Sequence, residues 1–380
     1  MKKILSVLLV LAALLAMATS AALAAEIALV TDVGTIDDES FNQACWEGVK
    51  AYAEANGKTY QYYQPGADST DERLNSIDLA VSEGAKVVVC PGYLFGETVA
   101  QAQELYPDVD FIAVDVSAGD LGGVDAQQNL YCAVFGEEQA GYLAGYAVVK
   151  DGYTKLGFLG GMAVPAVQRY GYGFVQGANA AAVELGTPIE INYTYGGQFF
   201  GDANITAKME GWYTTGTEIV FACGGGIYTS AVDAAKKANA KVIGVDVDQA
   251  GVIAKYAAGD GADEATIAQY LDLTVTSAMK GLYPATYDTL TDVIVNGNWE
   301  KYVGKIETLG LVSGTDPEAN YVQIPMGDGT QWSDSFTQDD YKAMVADMFD
   351  GKVTVSNDTK KAAKDFATVI TVNDQGQIKG

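Results

Sequence analysis

The stretch EIALVTDVGTIDDESFNQACWEGVKAYAEANG, residues 26–57, contains a complete strand-to-helix unit and decides the class of the fold. Residues 26–32 are predicted to form a strand, because the run is mostly apolar and stops at a polar turn. Residues 40–57 carry apolar side chains at helical spacing, and their final Asn-Gly pair is typical of a helix end. An acidic loop joins the two elements, so carboxylates stand at the carboxyl end of the strand.

The same alternation of strand and helix continues in two series along the chain. Short apolar runs such as VVVC (87–90) and FIAV (111–114) are typical of parallel strands that are covered on both faces. A glycine-rich break at 119–123 separates the series, and a long helix is predicted over 262–281. The other predicted strands are 60–64, 86–90, 111–115, 129–135, 155–161, 189–195, 218–226 and 241–248. Two successive βαβ series predict an α/β protein with two doubly wound parallel-sheet lobes.

We expect the chain to divide into a leader and two lobes. Residues 1–24 are the predicted signal peptide. The N-terminal lobe is predicted to comprise 25–134 plus about 249–290. The C-terminal lobe is predicted to comprise 135–248 plus about 291–380.

The first residues have the parts of a bacterial secretory signal. Lys2 and Lys3 precede an apolar run at 4–17, and Ala22-Leu23-Ala24 is a small-x-small cleavage site. We expect cleavage near Ala24 and a mature protein at the periplasmic or extracellular face of the cell membrane; an uncleaved anchor helix is the alternative. No lipobox cysteine follows the apolar run. No later run approaches the ~18 apolar residues of a membrane span, so the mature protein is not expected to insert in the bilayer.

Composition argues against several classes of function. The formal net charge is −26, which disfavours nucleic acid and anionic membranes as partners. The chain has no histidine, so it can hold neither a Ser-His-Asp nor a Cys-His nucleophile site. The four cysteines lie far apart in apolar surroundings and are predicted to be buried free thiols. We predict no catalytic residue, no metal and no cofactor.

Polar residues and glycines follow several of the predicted strands. Asp32, Asp115 and Asp246 come directly after strands, and three glycines occupy 224–226. Ligands of open parallel sheets bind beyond the carboxyl ends of the strands, so these residues are candidates for one site. Carboxylates accept hydrogen bonds, and glycine lets a backbone approach a ligand closely. The chain has two arginines and no glycine-rich phosphate motif, which favours a neutral, donor-rich ligand such as a nucleoside or a sugar.

Aromatic residues accompany these turns. Phe41 at the start of the first helix, with Phe199 or Phe200 after a later strand, could enclose a flat ring. Asn42 could both donate to and accept from the edge of that ring. The alternatives are that Phe41 belongs to the core and that 224–226 is only a tight turn.

The acids of the first loop have a simpler explanation than a metal site. Asp37, Asp38 and Glu39 directly precede the first helix, where negative charge is favourable. Asp38 or Ser40 is predicted to be the N-cap of that helix. The loop lacks the alternate-position Asp/Asn spacing of a calcium site, so we expect no metal there.

A resemblance to a known family becomes specific at this point. The segment TDVGTIDDESFNQACWEG (31–48) resembles the opening motif of the basic membrane protein family of ABC-transporter substrate-binding proteins, which includes bacterial purine nucleoside receptors. Further similar segments follow in the family's order: FIAVD (111–115), EEQAGYLAGYAV (137–148), GFLGGMAVPAVQRYGYGFVQG (157–177), VFACGGG (220–226), VIGVDVDQ (242–249), TSAMK (276–280) and GKVTVSND (351–358). The resemblance implies a type I periplasmic-binding-protein fold, in which two α/β lobes are joined by a multi-crossover hinge and the ligand binds between them.

The resemblance also implies which residues contact a base. Phe41 would form one aromatic wall, and Phe199 resembles the opposing wall. Asn42 and Asp115 would form hydrogen bonds with the base edge, and Asp32 would add a further polar contact.

On the ribose side, the resemblance implies three further residues. The backbone of Gly225 would lie against the ligand, Asp246 would accept hydrogen bonds from ribose hydroxyls, and Lys280 would be the partner of Asp246.

The chain departs from the family in two respects. It has no lipid-anchoring cysteine after the signal, and CGGGIY (223–228) replaces a commoner alternation of glycine with small polar residues.

Together these features predict a receptor and not an enzyme. The expected function is capture of a nucleoside, of purine type, by a monomeric ABC-importer receptor that delivers it to permease and ATPase subunits. A sugar receptor of the same fold and a sensory nucleoside receptor are alternatives. A nucleoside hydrolase-like enzyme, with carboxylates among Asp32, Asp37 and Asp38, is an alternative from another class.

Overall fold

Two largely parallel sheets form the framework of the protein. The computed structural model describes residues 25–378, so the predicted signal peptide at 1–24 lies outside the described part of the chain. The strands are β1 (Ile27–Val30), β2 (Tyr60–Tyr63), β3 (Val87–Pro91), β4 (Asp110–Val114), β5 (Leu130–Phe135), β6 (Lys155–Gly160), β7 (Glu190–Tyr195), β8 (Ile219–Cys223), β9 (Lys241–Asp246), β10 (Thr274–Lys280), β11 (Ile306–Leu309), β12 (Val322–Gln323) and β13 (Thr371–Gln377). The α-helices are α1 (Phe41–Asn56), α2 (Thr70–Ser82), α3 (Gly96–Leu105), α4 (Glu137–Lys150), α5 (Pro165–Leu185), α6 (Ala203–Thr214), α7 (Tyr228–Ala238), α8 (Ala250–Ala258), α9 (Glu264–Ala268), α10 (Leu282–Leu290) and α11 (Gln338–Phe349).

The first lobe is built on a six-stranded sheet with the strand order β11-β5-β4-β3-β1-β2. Every pairing in this sheet is parallel. Its two faces belong to different apolar cores: Leu29 of β1 lies in one core with Val49 of α1, and Val30 lies in the other with Ile77 of α2. Burial on both faces explains the continuously apolar strand sequences.

The second lobe is built on a seven-stranded sheet with the order β12-β10-β9-β8-β6-β7-β13. Its pairings are parallel except that β12 runs antiparallel to β10. Phe158 of β6 lies in a core with Phe174 of α5, whereas the next residue, Leu159, lies in a core with Trp212 of α6. The second sheet is therefore also covered by helices on both faces.

The chain crosses between the lobes three times: after β5, after β10, and between β11 and β12. These crossovers are bonded to one another through their backbones. Gly136 donates its N–H to the oxygen of Leu309 at 2.9 Å, Tyr321 donates to Gly310 at 3.1 Å, and Gly281 donates to Tyr321 at 2.7 Å. The prediction of two doubly wound lobes joined by a multi-crossover hinge is confirmed.

The predicted helix over 262–281 is wrong. Its first part contains the short helix α9, and its last part is β10, a buried strand inside the second sheet. The sequence of β10, TVTSAMK, begins with β-branched residues and is buried along almost its whole length. Periodicity cannot separate a short buried strand from a buried helical turn, which explains the error.

The sheet pairing also corrects the predicted lobe boundaries. β10 belongs to the second sheet, so the assignment of about 249–290 to the N-terminal lobe is wrong for this strand. β11 pairs with β5 in the first sheet, although 291–380 was assigned to the C-terminal lobe. Both errors arise because a strand far along the chain joins a sheet through long-range hydrogen bonds that local sequence patterns do not reveal.

Candidate ligand-binding cleft

A cavity lies between the two lobes, beside the carboxyl ends of strands from both sheets. Its empty volume, including the open mouth, is about 690 Å³. The eight residues predicted to bind ligand all line this cavity: Asp32, Phe41, Asn42, Asp115, Phe199, Gly225, Asp246 and Lys280. The fold therefore brings together side chains that are separated by up to about 250 positions in the sequence.

Asp38 caps the start of α1 at the edge of the cavity. Its carboxylate accepts backbone N–H groups from Ser40 at 2.9 Å, Asn42 at 3.0 Å and Gln43 at 3.1 Å. Burial nevertheless raises the pKa of Asp38 to about 6, against the opposing effect of these hydrogen bonds. Of the two predicted N-caps, Asp38 therefore supplies the capping side chain, and the hydroxyl of Ser40 does not cap the helix.

The side-chain amide of Asn42 is held by two carboxylates. Its Nδ2 donates to Asp32 Oδ1 at 3.0 Å and to Asp38 Oδ2 at 3.1 Å. This orientation follows from chemistry, because the opposite one would point an amide oxygen at two carboxylates. Asn42 was predicted both to donate and to accept. In the structure its two donors are used within the protein, and Oδ1 accepts the N–H of Asp32 at 3.4 Å, which leaves one lone pair of Oδ1 for a ligand donor.

Asp115 and Asp246 occupy corresponding positions in the two lobes. Asp115 directly follows β4 and Asp246 ends β9, and both have positive φ angles, 62° and 65°. Both side chains are buried, and Asp115 Oδ1 has no hydrogen-bond partner among residues 25–378. Burial raises the pKa of Asp115 to about 6, although the nearby Lys280 opposes the shift. A buried acceptor without a partner is unusual in a protein, and a ligand donor would satisfy it.

Lys280, at the end of β10, is the positive centre of the cavity. Its Nζ lies 2.5 Å from Asp115 Oδ2, 3.8 Å from Asp246 Oδ1 and 4.6 Å from the centre of the Phe41 ring. Burial alone would lower the pKa of Lys280, but Asp115, Asp246 and Glu137 outweigh it and hold the pKa well above its ordinary value. The ammonium therefore stays charged and links carboxylates from both lobes.

Two charged residues that sequence reasoning missed stand behind Lys280. Glu137 is fully buried at the start of α4, with Oε1 3.5 Å from Lys280 Nζ. Its Oε2 accepts a hydrogen bond from Arg169 Nε at 2.6 Å. Arg169 is one of two arginines in the chain and lies in a segment similar to the family's, but the sequence does not indicate its contact with Glu137. The position of Glu137 just after a predicted strand could have identified it as a candidate, as the same position did for Asp115.

Glycines set the distance between the helices that carry Glu137 and Arg169. A β-carbon on Gly173 of α5 would lie 2.0 Å from the carbonyl oxygen of Glu138, and one on Gly177 would lie 2.0 Å from that of Tyr142. Such distances are possible only without a side chain. The close contact of α4 with α5 therefore depends on these glycines, and it places Glu137 beside Arg169.

Phe199 forms the aromatic wall of the second lobe. A β-carbon on Gly161 or Gly224 would lie within 2.8 Å of its ring, so both positions must be glycine for the ring to occupy this place. Gly225 has a φ of 51° and follows in the same turn. Phe200 is 62% exposed and does not line the cavity. Between the two predicted candidates, Phe199 is the one that faces the cleft.

Two further contacts at Asp246 were not foreseen. Ser40 Oγ, from the first lobe, donates to Asp246 Oδ2 at 2.6 Å, and Tyr170 OH lies 3.5 Å from Oδ1. No feature of the local sequence indicates these contacts, because each joins residues from separate segments. Ser40 had been considered only as a helix cap.

Three features of residues 25–378 bear on other kinds of site. No group of three or more acidic or cysteine side chains there has the arrangement of a metal site. No helix in this range has both the length and the apolarity to cross a bilayer. All four cysteines are buried and form no disulfide, as predicted.

Comparison with known proteins agrees with this geometry. A family model described as "ABC transporter substrate-binding protein PnrA-like" matches residues 25–315. The ABC transporter nucleoside-binding protein BmpA of Lactococcus lactis is 28% identical over 333 residues, covering 84% of this chain and 86% of the relative. Basic membrane protein B of Borreliella burgdorferi is 26% identical over 304 residues, covering 77% and 81%. An ABC-transporter solute-binding protein from Aeropyrum pernix has the same fold, with a TM-score of 0.64 at 20% identity over 90% of this chain and 89% of that one. The chain therefore belongs to the Bmp family of ABC-transporter substrate-binding proteins.

Proposed function

We propose that the ligand of this substrate-binding protein is a nucleoside, of purine type. The observation that carries the proposal is the combination of two aromatic rings from different lobes, Phe41 and Phe199, with a polar lining made largely of acceptors. A purine offers two flat faces and donors at its edge, and a ribose offers hydroxyl donors. The name of the Lactococcus lactis relative, a nucleoside-binding protein, supports the same class.

The base would bind between Phe41 and Phe199. Each stacking contact of this kind contributes about 1–3 kcal/mol. Its edge would have to present donors, because the donors of Asn42 are engaged and Asp115 Oδ1 is without a partner. Asp32 would add a further acceptor on the same side.

The ribose would bind on the side of the second lobe. Ser40 donates a short hydrogen bond to Asp246 Oδ2, whereas Tyr170 OH approaches Oδ1 only to 3.5 Å, so Oδ1 is the atom that would accept a ribose hydroxyl. Lys280 would donate to the sugar while keeping its ion pair with Asp115. The backbone of Gly225 would lie against the ligand. Any other residue at this position would also have to adopt a positive φ.

Ligand capture would be coupled to closure of the cleft. A nucleoside that touches both lobes makes its full set of contacts only in the closed arrangement, so binding favours that state. The closed, monomeric receptor would then dock on a membrane permease whose ATPase subunits drive import. It would act at the periplasmic or extracellular face of the membrane, after export by the predicted signal peptide.

A sugar receptor of the same fold is the second candidate, because the acceptor-rich lining also suits sugar hydroxyls. A free base and a nucleoside should be ignored by a sugar receptor and bound by a nucleoside receptor. A sensory role would use the same ligand and would differ in the membrane partner.

We expect no chemical change of the ligand. Incubation with nucleoside, followed by chromatography for free base, tests that expectation.

The decisive experiment is to identify the ligand directly. Mass spectrometry of material released from purified, denatured protein should detect a purine nucleoside. Titration calorimetry of the ligand-free protein with guanosine, inosine, adenosine, ribose and galactose should then show binding of nucleosides alone. Binding of a sugar without any nucleoside would refute the proposal.

A further inference from the structure

Two hydrogen bonds join the lobes beside the ligand cavity, and one of them ends on Asp246, which lines it. Ser40 Oγ donates to Asp246 Oδ2 at 2.6 Å, and Gln249 Nε2 donates to the backbone oxygen of Glu39 at 3.0 Å. Glu39 and Ser40 precede α1 in the first lobe, whereas Asp246 and Gln249 lie at the end of β9 and just after it in the second. Neither Ser40 nor Gln249 lines the cavity. Both side chains therefore act between the lobes, without reaching the ligand.

The first-lobe half of this contact is held by hydrogen bonds within its own lobe. The N–H of Ser40 donates to Asp38 Oδ1 at 2.9 Å, and the N–H of Glu39 donates to Gln43 Oε1 at 2.9 Å. Glu39 also has a positive φ of 52°, which few residues adopt without reason. Because Asp38 caps the helix, the hydroxyl of Ser40 is available for the other lobe.

The second-lobe half is equally well held. Gln249 is fully buried, and its Oε1 accepts the N–H of Val245 at 2.9 Å. Its own N–H donates to Ser277 Oγ at 3.1 Å. The oxygen of the amide is thus bonded inside the second lobe, and its nitrogen crosses to the first.

We propose that Ser40 and Gln249 form an interlobe latch, which stabilises the closed protein whether or not a ligand is present. The inference rests on the proposed function only in taking the cleft as the ligand site. A contact present in every closed state favours closure by the same factor for each ligand and for the empty protein. A hydrogen bond to a carboxylate contributes about 10- to 150-fold in such an equilibrium.

The test compares Ser40→Ala with Ser230→Ala. Ser230 is also buried and hydrogen-bonded, but to Asp202 within the second lobe. Small-angle X-ray scattering of the ligand-free proteins should give a larger radius of gyration for Ser40→Ala than for the wild type, and no change for Ser230→Ala. Titration with guanosine and with 2′,3′-dideoxyguanosine, which lacks the ribose hydroxyls, should give affinities lowered by one common factor, about 10- to 150-fold, in Ser40→Ala alone.

Either of two results would overturn the latch. Equal radii of gyration would show that Ser40 does not close the empty protein. A larger loss for guanosine than for the dideoxynucleoside would make Ser40 a residue that orients Asp246 for the ribose. If Ser40→Ala does not fold, Gln249→Met removes the second bond and is judged by the same two measurements. Failure of the wild type to bind either nucleoside would refute the nucleoside proposal, whereas the scattering comparison would still decide the latch.

Discussion

The ammonium of Lys280, in the second lobe, lies 2.5 Å from Asp115 Oδ2 in the first lobe. Both side chains are buried, and the same ammonium lies 3.8 Å from Asp246 Oδ1. Lys280 therefore connects the carboxylate proposed to bind the base with the one proposed to bind the ribose. A buried ion pair of this kind is costly to break on one side only, because the remaining charge is then left without compensation.

Asp115→Asn should weaken guanosine binding by about 10- to 100-fold, because a charged acceptor for the base edge is lost. Asp110→Asn is the matched control, since Asp110 begins the same strand and does not line the cavity. Titration calorimetry measures both variants. Wild-type affinity in Asp115→Asn would contradict a role for Asp115 at the base.

Asp246→Ala should lower the affinity for a ribonucleoside while leaving the fold intact. It should have a smaller effect on the matching 2′,3′-dideoxynucleoside, because that ligand lacks the hydroxyls proposed to contact Asp246 Oδ1 and loses only the stabilisation that the bond from Ser40 gives to the closed protein. The two ligands and two proteins form a cycle that isolates this contact. Equal losses for both ligands would refute the ribose assignment, and circular dichroism checks the fold.

Phe199→Ala should reduce nucleoside affinity by about 5- to 150-fold, the effect of removing one stacking contact of about 1–3 kcal/mol. Phe200→Ala is the neighbouring control and should stay within about twofold, because Phe200 is mostly exposed and outside the cavity. The reverse order would show that Phe200 provides the aromatic wall.

Gly173→Ala should destabilise the protein by about 1–3 kcal/mol or more, because its methyl group meets the Glu138 carbonyl. Gly211→Ala, in α6, is the control: its methyl group meets no atom within 4 Å, so a gain of about 0.5–1 kcal/mol is expected. Urea unfolding measures both. Equal stability of the two variants would show that α4 and α5 can move apart without cost.

The free energy of unfolding should fall as pH rises from about 4 to about 7. Burial raises the pKa of Glu138 to about 7, with the nearby Glu137 adding to the shift, and burial raises that of Asp38 to about 6. In the unfolded chain both groups ionise near pH 4, so in this window the native state binds more protons than the unfolded state. Stability is therefore greatest below the unfolded-state values and is lost as pH rises towards 7.

Glu138→Gln should flatten this dependence, because the neutral amide does not titrate. Urea unfolding at pH 5 and pH 8 measures the difference for the wild type and the variant. A wild type that is more stable at pH 8 than at pH 5 would contradict the raised pKa values of Glu138 and Asp38 in the folded protein.

Local patterns in the sequence revealed much of the cleft, because strand ends meet at one edge of a parallel sheet. Asp32, Asp115 and Asp246 each follow an apolar run, and all three line the cavity. The local pattern offered Phe199 or Phe200 after a strand, and the resemblance to the family favoured Phe199. Lys280 needed the resemblance alone, since its neighbours in sequence do not distinguish it. For Lys280 the local pattern was misleading, because β10 resembled the end of a helix.

Contacts that cross between the lobes were beyond sequence reasoning. The bond from Ser40 to Asp246 spans 206 positions, and Arg169 reaches Glu137 from a different helix. Such pairs depend on how the two lobes meet and on how closely glycines let α4 approach α5. A local pattern could assign Ser40 only to the nearest element, the helix that it precedes.

The charges that line the cavity have a consequence for nutrient supply. Four carboxylates, those of Asp32, Asp38, Asp115 and Asp246, face one ammonium there. A phosphate ester carries roughly −1.5 to −2 charge at pH 7 and would meet repulsion inside this low-dielectric space. For the proposed nucleoside ligand, the lining would act as a charge filter that admits the nucleoside and rejects the nucleotide made from it. A cell that depends on this receptor would need an external phosphatase before it could scavenge nucleic-acid debris.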